Sequence, residues 1–193
     1  MAKPTSARED LIQSAVELFR ARGYEGVGVA DLLAHAGAPR GSLYFHFPGG
    51  KEEIGAEALT RAGASVTERL RALRESGVDL ENFINIVFKT TARESKERGY
   101  QASCPLAAIA TETSKDNPSL CCAISDALTD WEREIALAAT AAGMGKKNSE
   151  LFASAFVTAM EGALVVSKAQ RSAAPHANAA HAMRALAGAL LGS

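Results

Sequence analysis

Residues 29–47 read VADLLAHAGAPRGSLYFHF, and their order predicts a short helix, a tight turn and a second short helix. Val29, Leu32 and Leu33 recur at helical spacing, so one side of the first piece faces a core. Gly37 ends it, since glycine tolerates the left-handed backbone of a helix terminus. Pro39 falls where the second helix is expected to begin, its fixed φ suiting a first turn. That second piece, expected from Arg40 to Phe47, turns Leu43 and Phe47 to one side and carries Arg40, Ser42, Tyr44 and His46. Two short helices joined by a glycine-containing turn outline a helix-turn-helix, a unit whose second helix enters the DNA major groove.

Upstream, a helix is expected from Ala7 to Arg22. Ser6 and Glu9 have the spacing of a capping box, and Leu11, Ile12, Ala15, Val16 and Phe19 make one apolar face. Gly23 ends this helix, leaving Tyr24 and Val27 to plug the underside of the small domain. Downstream, Pro48-Gly49-Gly50 breaks the recognition helix and Lys51 opens a long helix to Glu75. Its apolar positions are Ile54, Ala58, Leu59, Ala62, Val66, Leu70 and Leu73. Beyond Ser76-Gly77 the periodicity predicts a helix from Leu80 to Gly99 and a short one over PLAAIATETS from Pro105. A longer one opens at Asn117-Pro118 and runs to Gly143. Asn148 or Ser149 is expected to cap the next helix, which Pro175 separates from a last one carrying Ala179, Met183, Leu186 and Leu190.

The chain has 193 residues, 47% hydrophobic and 22% charged, with a formal net charge of -1. This is ordinary for a globular protein. Abundant alanine and leucine without alternating β-branched runs favour an all-α fold of about nine helices. A protein that coats nucleic acid would be basic; here any DNA contact rests on a local patch. The N-terminus has no signal-peptide pattern. The longest apolar run, Leu151 to Val166, is interrupted by Ser154, Thr158, Glu161 and Gly162 and falls short of the roughly 20 residues of a membrane span. The three cysteines include the adjacent Cys121 and Cys122, for which a bridge would be strained. The expectation is a cytoplasmic, reduced protein with no membrane association.

The run GYEGVGVADLLAHAGAPRGSLYFHFPGGKEEI, Gly23 to Ile54, closely resembles the DNA-binding signature of the TetR family of bacterial transcriptional regulators. The resemblance implies an all-α homodimer: three small N-terminal helices, a linking fourth helix, and a larger ligand-binding domain whose last two helices form a dimer bundle. The implied divisions are a DNA-binding domain at 6–50 with the motif at 29–48, a linking helix at 51–76, and a ligand-binding and dimerisation domain at 77–193. Ser103-Cys104-Pro105-Leu106-Ala107 with Glu112-Thr113-Ser114 is similar to the branch that contains regulators of multidrug-resistance genes, some responsive to flavonoids. One departure is Gly28, where the family usually has Ser or Thr to cap the helix and touch phosphate.

On this reading the DNA-binding residues are Gly28, Pro39, Arg40, Gly41, Ser42, Tyr44, His46 and Lys51. Arg40 is the candidate base reader, through its paired donors to guanine. Tyr44 and His46 suit phosphates, which position without reading sequence. Lys51 stands at a helix N-terminus that favours an anion, and an isolated lysine there is electrostatically odd unless a phosphate is its partner. Phe83, Val87, Phe88, Leu106, Ile109, Trp131, Phe152, Phe156 and Met160 are candidates to line a pocket for an apolar effector, with Arg93 and Glu112 as polar anchors. Ala159, Gly162, Ala163, Val166, Leu186 and Leu190 are candidates for the dimer contact.

No cofactor is expected, and no metal: His176 and His181 lack the i, i+4 spacing of two helix ligands. The expected partners are a double-stranded DNA operator, a small-molecule effector and a second copy of the chain. Cys104, at a helix start that can lower a thiol pKa, offers an alternative as an oxidant or electrophile sensor. An enzyme is the rival class, but no G-x-S-x-G, H-E-x-x-H or phosphate-cradling loop supports it.

Overall fold

Nine helices and no strand occur among the residues that the computed structural model describes, 7–101, 103–113 and 117–192. They are α1 (Ala7–Arg22), α2 (Val29–Ala36), α3 (Ser42–His46), α4 (Gly50–Glu75), α5 (Leu80–Glu97), α6 (Pro105–Ala110), α7 (Pro118–Ala141), α8 (Lys146–Gln170) and α9 (Ala174–Leu191). The Ser6 side of the expected capping box lies outside the described residues; Glu9 pairs with Arg61. Contacts divide the chain into two compact units. The first holds the described residues up to Gly63 together with Cys104–Ala127; the second holds Ala64–Ser103 with the described residues from Leu128 onward.

In the first unit α1, α2 and α3 pack on one another, and α6 packs on α1. The apolar periodicity is used as expected: Leu11, Ile12, Ala15 and Phe19 of α1, Leu32 and Leu33 of α2, and Leu43 and Phe47 around α3 are buried. Tyr24 and Val27 close the underside. Burying each such large apolar side chain is worth about 1.5–3 kcal/mol, and three short helices supply few of them. Further cover comes from Ile54, Ala58 and Leu59 of α4, Leu106 and Ile109 of α6, and Leu120 and Ile124 of α7, all buried in the same unit. The α4 and α7 backbones approach closely, since a Cβ on Gly63 would stand 2.4 Å from Ala127 Cβ.

In the second unit α5, α8 and α9 pack together. Phe156 is the hub of an aromatic cluster, its ring centroid 6.2 Å from Phe83, 5.0 Å from Phe88 and 5.9 Å from Phe152. His176 is buried between Ser95 Oγ and Ser167 Oγ, each 3.4 Å from a ring nitrogen, and burial lowers its pKa. The carboxylate of Glu134, also buried, accepts from Arg71 Nε at 3.2 Å and Arg74 Nε at 3.0 Å. Asp79 caps α5 by accepting from the Asn82 amide at 2.8 Å, which holds its carboxyl below the usual range.

Several boundaries differ from the sequence reading. The recognition helix starts at Ser42 rather than Arg40, because Pro39 belongs to a turn in which Ser42 N–H donates to its carbonyl at 2.9 Å. α6 stops at Ala110, well short of the expected stretch. Neither Asn148 nor Ser149 caps α8. That helix starts at Lys146, and Ser149 is buried inside it, donating to Met144 O at 3.1 Å. Pro175 does not break α8, which ends at Gln170; it sits in the first turn of α9, where a missing N–H costs nothing. α8 is long and apolar enough, by length and composition alone, to cross a membrane. Its polar interruptions include Glu161, and its Phe152, Ala153, Phe156, Val157 and Met160 are buried in internal packing.

Candidate DNA-binding interface

The interface begins with how α2 and α3 are held. Gly28 caps α2 without a side chain, and Asp31 Oδ2 accepts from its backbone N–H at 2.8 Å. This is half of a capping box, and it commits the Gly28 amide to the protein. Gly37 then takes the left-handed conformation (φ 62°), with Ala38 N–H donating to Leu33 O at 2.9 Å, a helix-ending pattern that aims the chain into the turn. Leu43 and Phe47 anchor α3 from below with no exposed surface. The Arg8 guanidinium lies 5.1 Å from the centre of the Phe47 ring and pairs with Glu57.

With Leu43 inward, the neighbouring positions turn outward. Arg40, Gly41 and Tyr44 are exposed, and Ser42 and His46 are half-buried. The Tyr44 ring reaches back to the start of α4, 3.3 Å from where a Cβ on Gly50 would stand. Pro39 and Gly28 are exposed on the same motif. Lys51 has a partner within the protein. Its Nζ stands 3.9 Å from the centre of the Tyr24 ring, within cation–π range. The Tyr24 hydroxyl is held above its ordinary pKa by burial, with Glu52 and Glu25 adding to it, so the ring is neutral.

One residue that the sequence reading passes over and one that it assigns to the effector matter here. Phe45, the residue between Tyr44 and His46, is 80% exposed on the recognition helix. Glu112, although exposed, has its carboxylate engaged within the protein. Its Oε2 accepts from the backbone N–H groups of Tyr24 at 2.6 Å and Glu25 at 2.9 Å. Gly23 precedes them with φ 73°, and a Cβ there would stand 2.0 Å from Glu112 Oε1. Consecutive amides after a left-handed residue form an anion-binding concavity, so the loop after α6 grips the junction between α1 and α2. The only sequence signal was the glycine itself.

The candidate effector residues are distributed over both units. Leu106 and Ile109 belong to the first; Phe83, Val87, Phe88, Trp131, Phe152, Phe156 and Met160 belong to the second. All but Val87, which is half-buried, are buried, and the four phenylalanines fill one another's space. Arg93 pairs loosely with Glu97 at 3.8 Å on an exposed face. One pocket, of about 190 Å³ between α5 and α9, is lined by Leu80, Glu81, Ile84, Arg184, Ala187, Gly188 and Leu191, none of them a predicted residue. Cys104 is half-buried at the N-cap of the six-residue α6, and Cys121 and Cys122 are exposed. No group of three or more potential metal ligands occurs among the described residues.

A recognition helix presented on a three-helix support, followed by a helical body, defines a DNA-binding regulator. The family models agree in both parts. Residues 11–58 match the bacterial regulatory proteins of the tetR family, and residues 81–182 match the C-terminal domain of LmrA/YxaF-like transcriptional regulators. The chain belongs to the TetR family of transcriptional regulators. It is 26% identical over 175 residues to the uncharacterized HTH-type transcriptional regulator YxaF of Bacillus subtilis, covering 91% of this chain and 92% of that one. It is 32% identical over 132 residues to the HTH-type transcriptional regulator LmrA of the same organism, covering 65% and 66%. Among solved structures it resembles the reduced form of Escherichia coli NemR, with a TM-score of 0.82 and 25% identity over 92% of this chain and 94% of that one.

Proposed function

We propose that this DNA-binding regulator is a homodimeric repressor, without enzymatic activity, that a small apolar or aromatic molecule releases from its operator in the cytoplasm. The observation that carries the dimer is a stripe along α8. Leu151, Ser154, Thr158, Gly162 and Val165 follow one another at three- and four-residue steps, all exposed and none charged. Leu151 and Val165 are more than half exposed, and Val166 beside them is 41% exposed. Apolar surface of this kind on a chain this size marks an interface. α9 adds the exposed Ala182, Ala185 and Ala189, with Leu186 and Leu190 half-buried. Of the other candidate contacts, Gly162 and Val166 lie on this face and Ala159 at its edge, while Ala163 faces the core. The second copy therefore meets a surface centred on Leu151 and Val165.

In a dimer the two recognition helices would enter successive major grooves roughly 34–36 Å apart. Arg40 reads base edges; Tyr44, His46 and Lys51 hold phosphates; and the working division is a DNA-reading part at 6–50, a linking helix at 51–76 and an effector and dimer part at 77–193. The 190 Å³ pocket is below the roughly 300 Å³ that a drug-sized ligand fills. The effector instead parts the Phe83–Phe88–Phe152–Phe156 cluster, and the work of parting it is what links occupancy to conformation. Repression is supported by similarity to the transcriptional repressor NemR of Escherichia coli, 30% identical over 106 residues, which cover 54% of this chain and 53% of that one.

The test is light scattering on the wild type and on Leu151→Glu/Val165→Glu, with DNA from a random pool selected by the wild type. The wild type should be a dimer, and the double variant a folded monomer with a large loss of affinity for the selected duplex. A wild type that stays monomeric at tens of micromolar and binds a single half-site refutes the dimer. A panel of apolar aromatic compounds, none of which lowers DNA affinity, refutes the effector.

A further inference from the structure

The most exposed large apolar side chain described is Phe45, at 80%, and it stands on the helix that reads DNA. Its position follows from α3 itself. Successive residues on an α-helix are about 100° apart. Leu43 points into the core with no exposure, so Phe45, two residues on, points almost directly away from it. One turn earlier on the same face is Gly41, where an added Cβ would meet nothing within 4 Å. Gly41 already has helical backbone angles, φ -79° and ψ -12°. The outermost face of the recognition helix is thus a phenyl ring beside an open step, flanked by Ser42 and Tyr44. The ring is braced edge-on by His46, with centroids 4.9 Å apart and planes at 80°, so it projects in a defined direction.

A phenyl ring offers base edges no hydrogen bond. The major groove presents one apolar group, the C5-methyl of thymine. We infer that Phe45 is a specificity-determining residue that reads a thymine methyl in each half-site of the operator, with the Gly41 step leaving room for the base pair to approach. This rests on α3 being the helix that enters the groove. It divides the reading between two letters: guanine by Arg40, through paired donors, and thymine by Phe45, through apolar contact.

The experiment starts from a duplex selected from a random pool by the wild-type protein. Each thymine is replaced in turn by deoxyuridine, which removes only the methyl group, and affinity is measured by fluorescence anisotropy at fixed salt. The wild type should lose about fourfold at one thymine per half-site, the worth of one buried methyl, and little at the others. Phe45→Ala should bind the selected duplex more weakly and no longer distinguish thymine from deoxyuridine there. Phe45→Leu should keep part of the distinction. Circular dichroism should be unchanged in both variants, because the side chain is outside the core.

The proposal is overturned if the wild type is indifferent to every methyl, if Phe45→Ala keeps the full methyl preference, or if it weakens all duplexes equally. If Arg40→Ala and Phe45→Ala both leave the selected sequence unchanged, the assignment of α3 to the groove fails as well, which separates the two failures.

Discussion

Replacing Glu112 with alanine removes the carboxylate that two backbone amides share. The Tyr24 and Glu25 N–H groups lose acceptors at 2.6 and 2.9 Å. A hydrogen bond to a charged group is worth about 1.5–3 kcal/mol, but Glu112 is exposed and water replaces much of what is lost. Screening of this kind brings the pair to about 1–2 kcal/mol in total. For a chain of this length about 1 kcal/mol moves the midpoint by about 2–4 °C, so Glu112→Ala should melt about 2–8 °C lower by circular dichroism. Glu112→Gln, which keeps an uncharged acceptor, should recover about half of the loss. Because the carboxylate grips the junction between α1 and α2, affinity for the selected duplex should fall as well, and its salt slope should not. A midpoint within 1 °C of the wild type, with unchanged DNA affinity, would refute the view that the loop after α6 steadies the reading head.

Three further outcomes follow from the geometry. Gly63→Ala puts a methyl 2.4 Å from Ala127 Cβ and should destabilise by about 1–3 kcal/mol by overpacking, with Ala127→Gly restoring most of it in denaturant titration. His176 is buried with a lowered pKa, so the unfolded chain binds the proton more tightly. Its contribution is full above the unfolded value of about 6.5 and is lost as pH falls from there toward the folded value. Thermal midpoints should therefore drop on acidification from pH 7.5 to 5.5, less so in His176→Gln. Lys51→Ala should weaken binding to all duplexes alike and reduce the slope of log affinity against log salt by about one, whereas an unchanged slope would leave Lys51 to its contact with Tyr24.

The all-helical fold and the helix-turn-helix were legible because they rest on local signals. The 3.6-residue recurrence placed Leu11 to Phe19, Leu32, Leu33, Leu43 and Phe47 on buried faces, and Gly37 marked the helix end by its backbone freedom. Phe45 carries no hydrogen-bonding group to mark it as a DNA contact, although its angle from Leu43 is fixed by the same periodicity. Glu112 was misread because its partners are 87 and 88 residues away in sequence and are backbone amides, which no residue pattern reports. The aromatic positions were recognisable as apolar, but only three dimensions show Phe83, Phe88, Phe152 and Phe156 filling one another's space.

The first unit is assembled from two stretches of chain, one ending at Gly63 and the other spanning Cys104–Ala127, and this has a consequence during synthesis. Ala127 lies 64 positions beyond Gly63. At about 5–20 residues per second, a nascent chain spends about 3–13 s with α1 to α3 made and the segment that carries Glu112, Leu120 and Ile124 still to come. Through that interval the buried sides of Phe19, Tyr24 and Ile54 have only part of their eventual cover, which is when a chaperone would find them. A stop codon placed after the helix-turn-helix would make this interval permanent, yielding a reading head with its motif complete and its support missing.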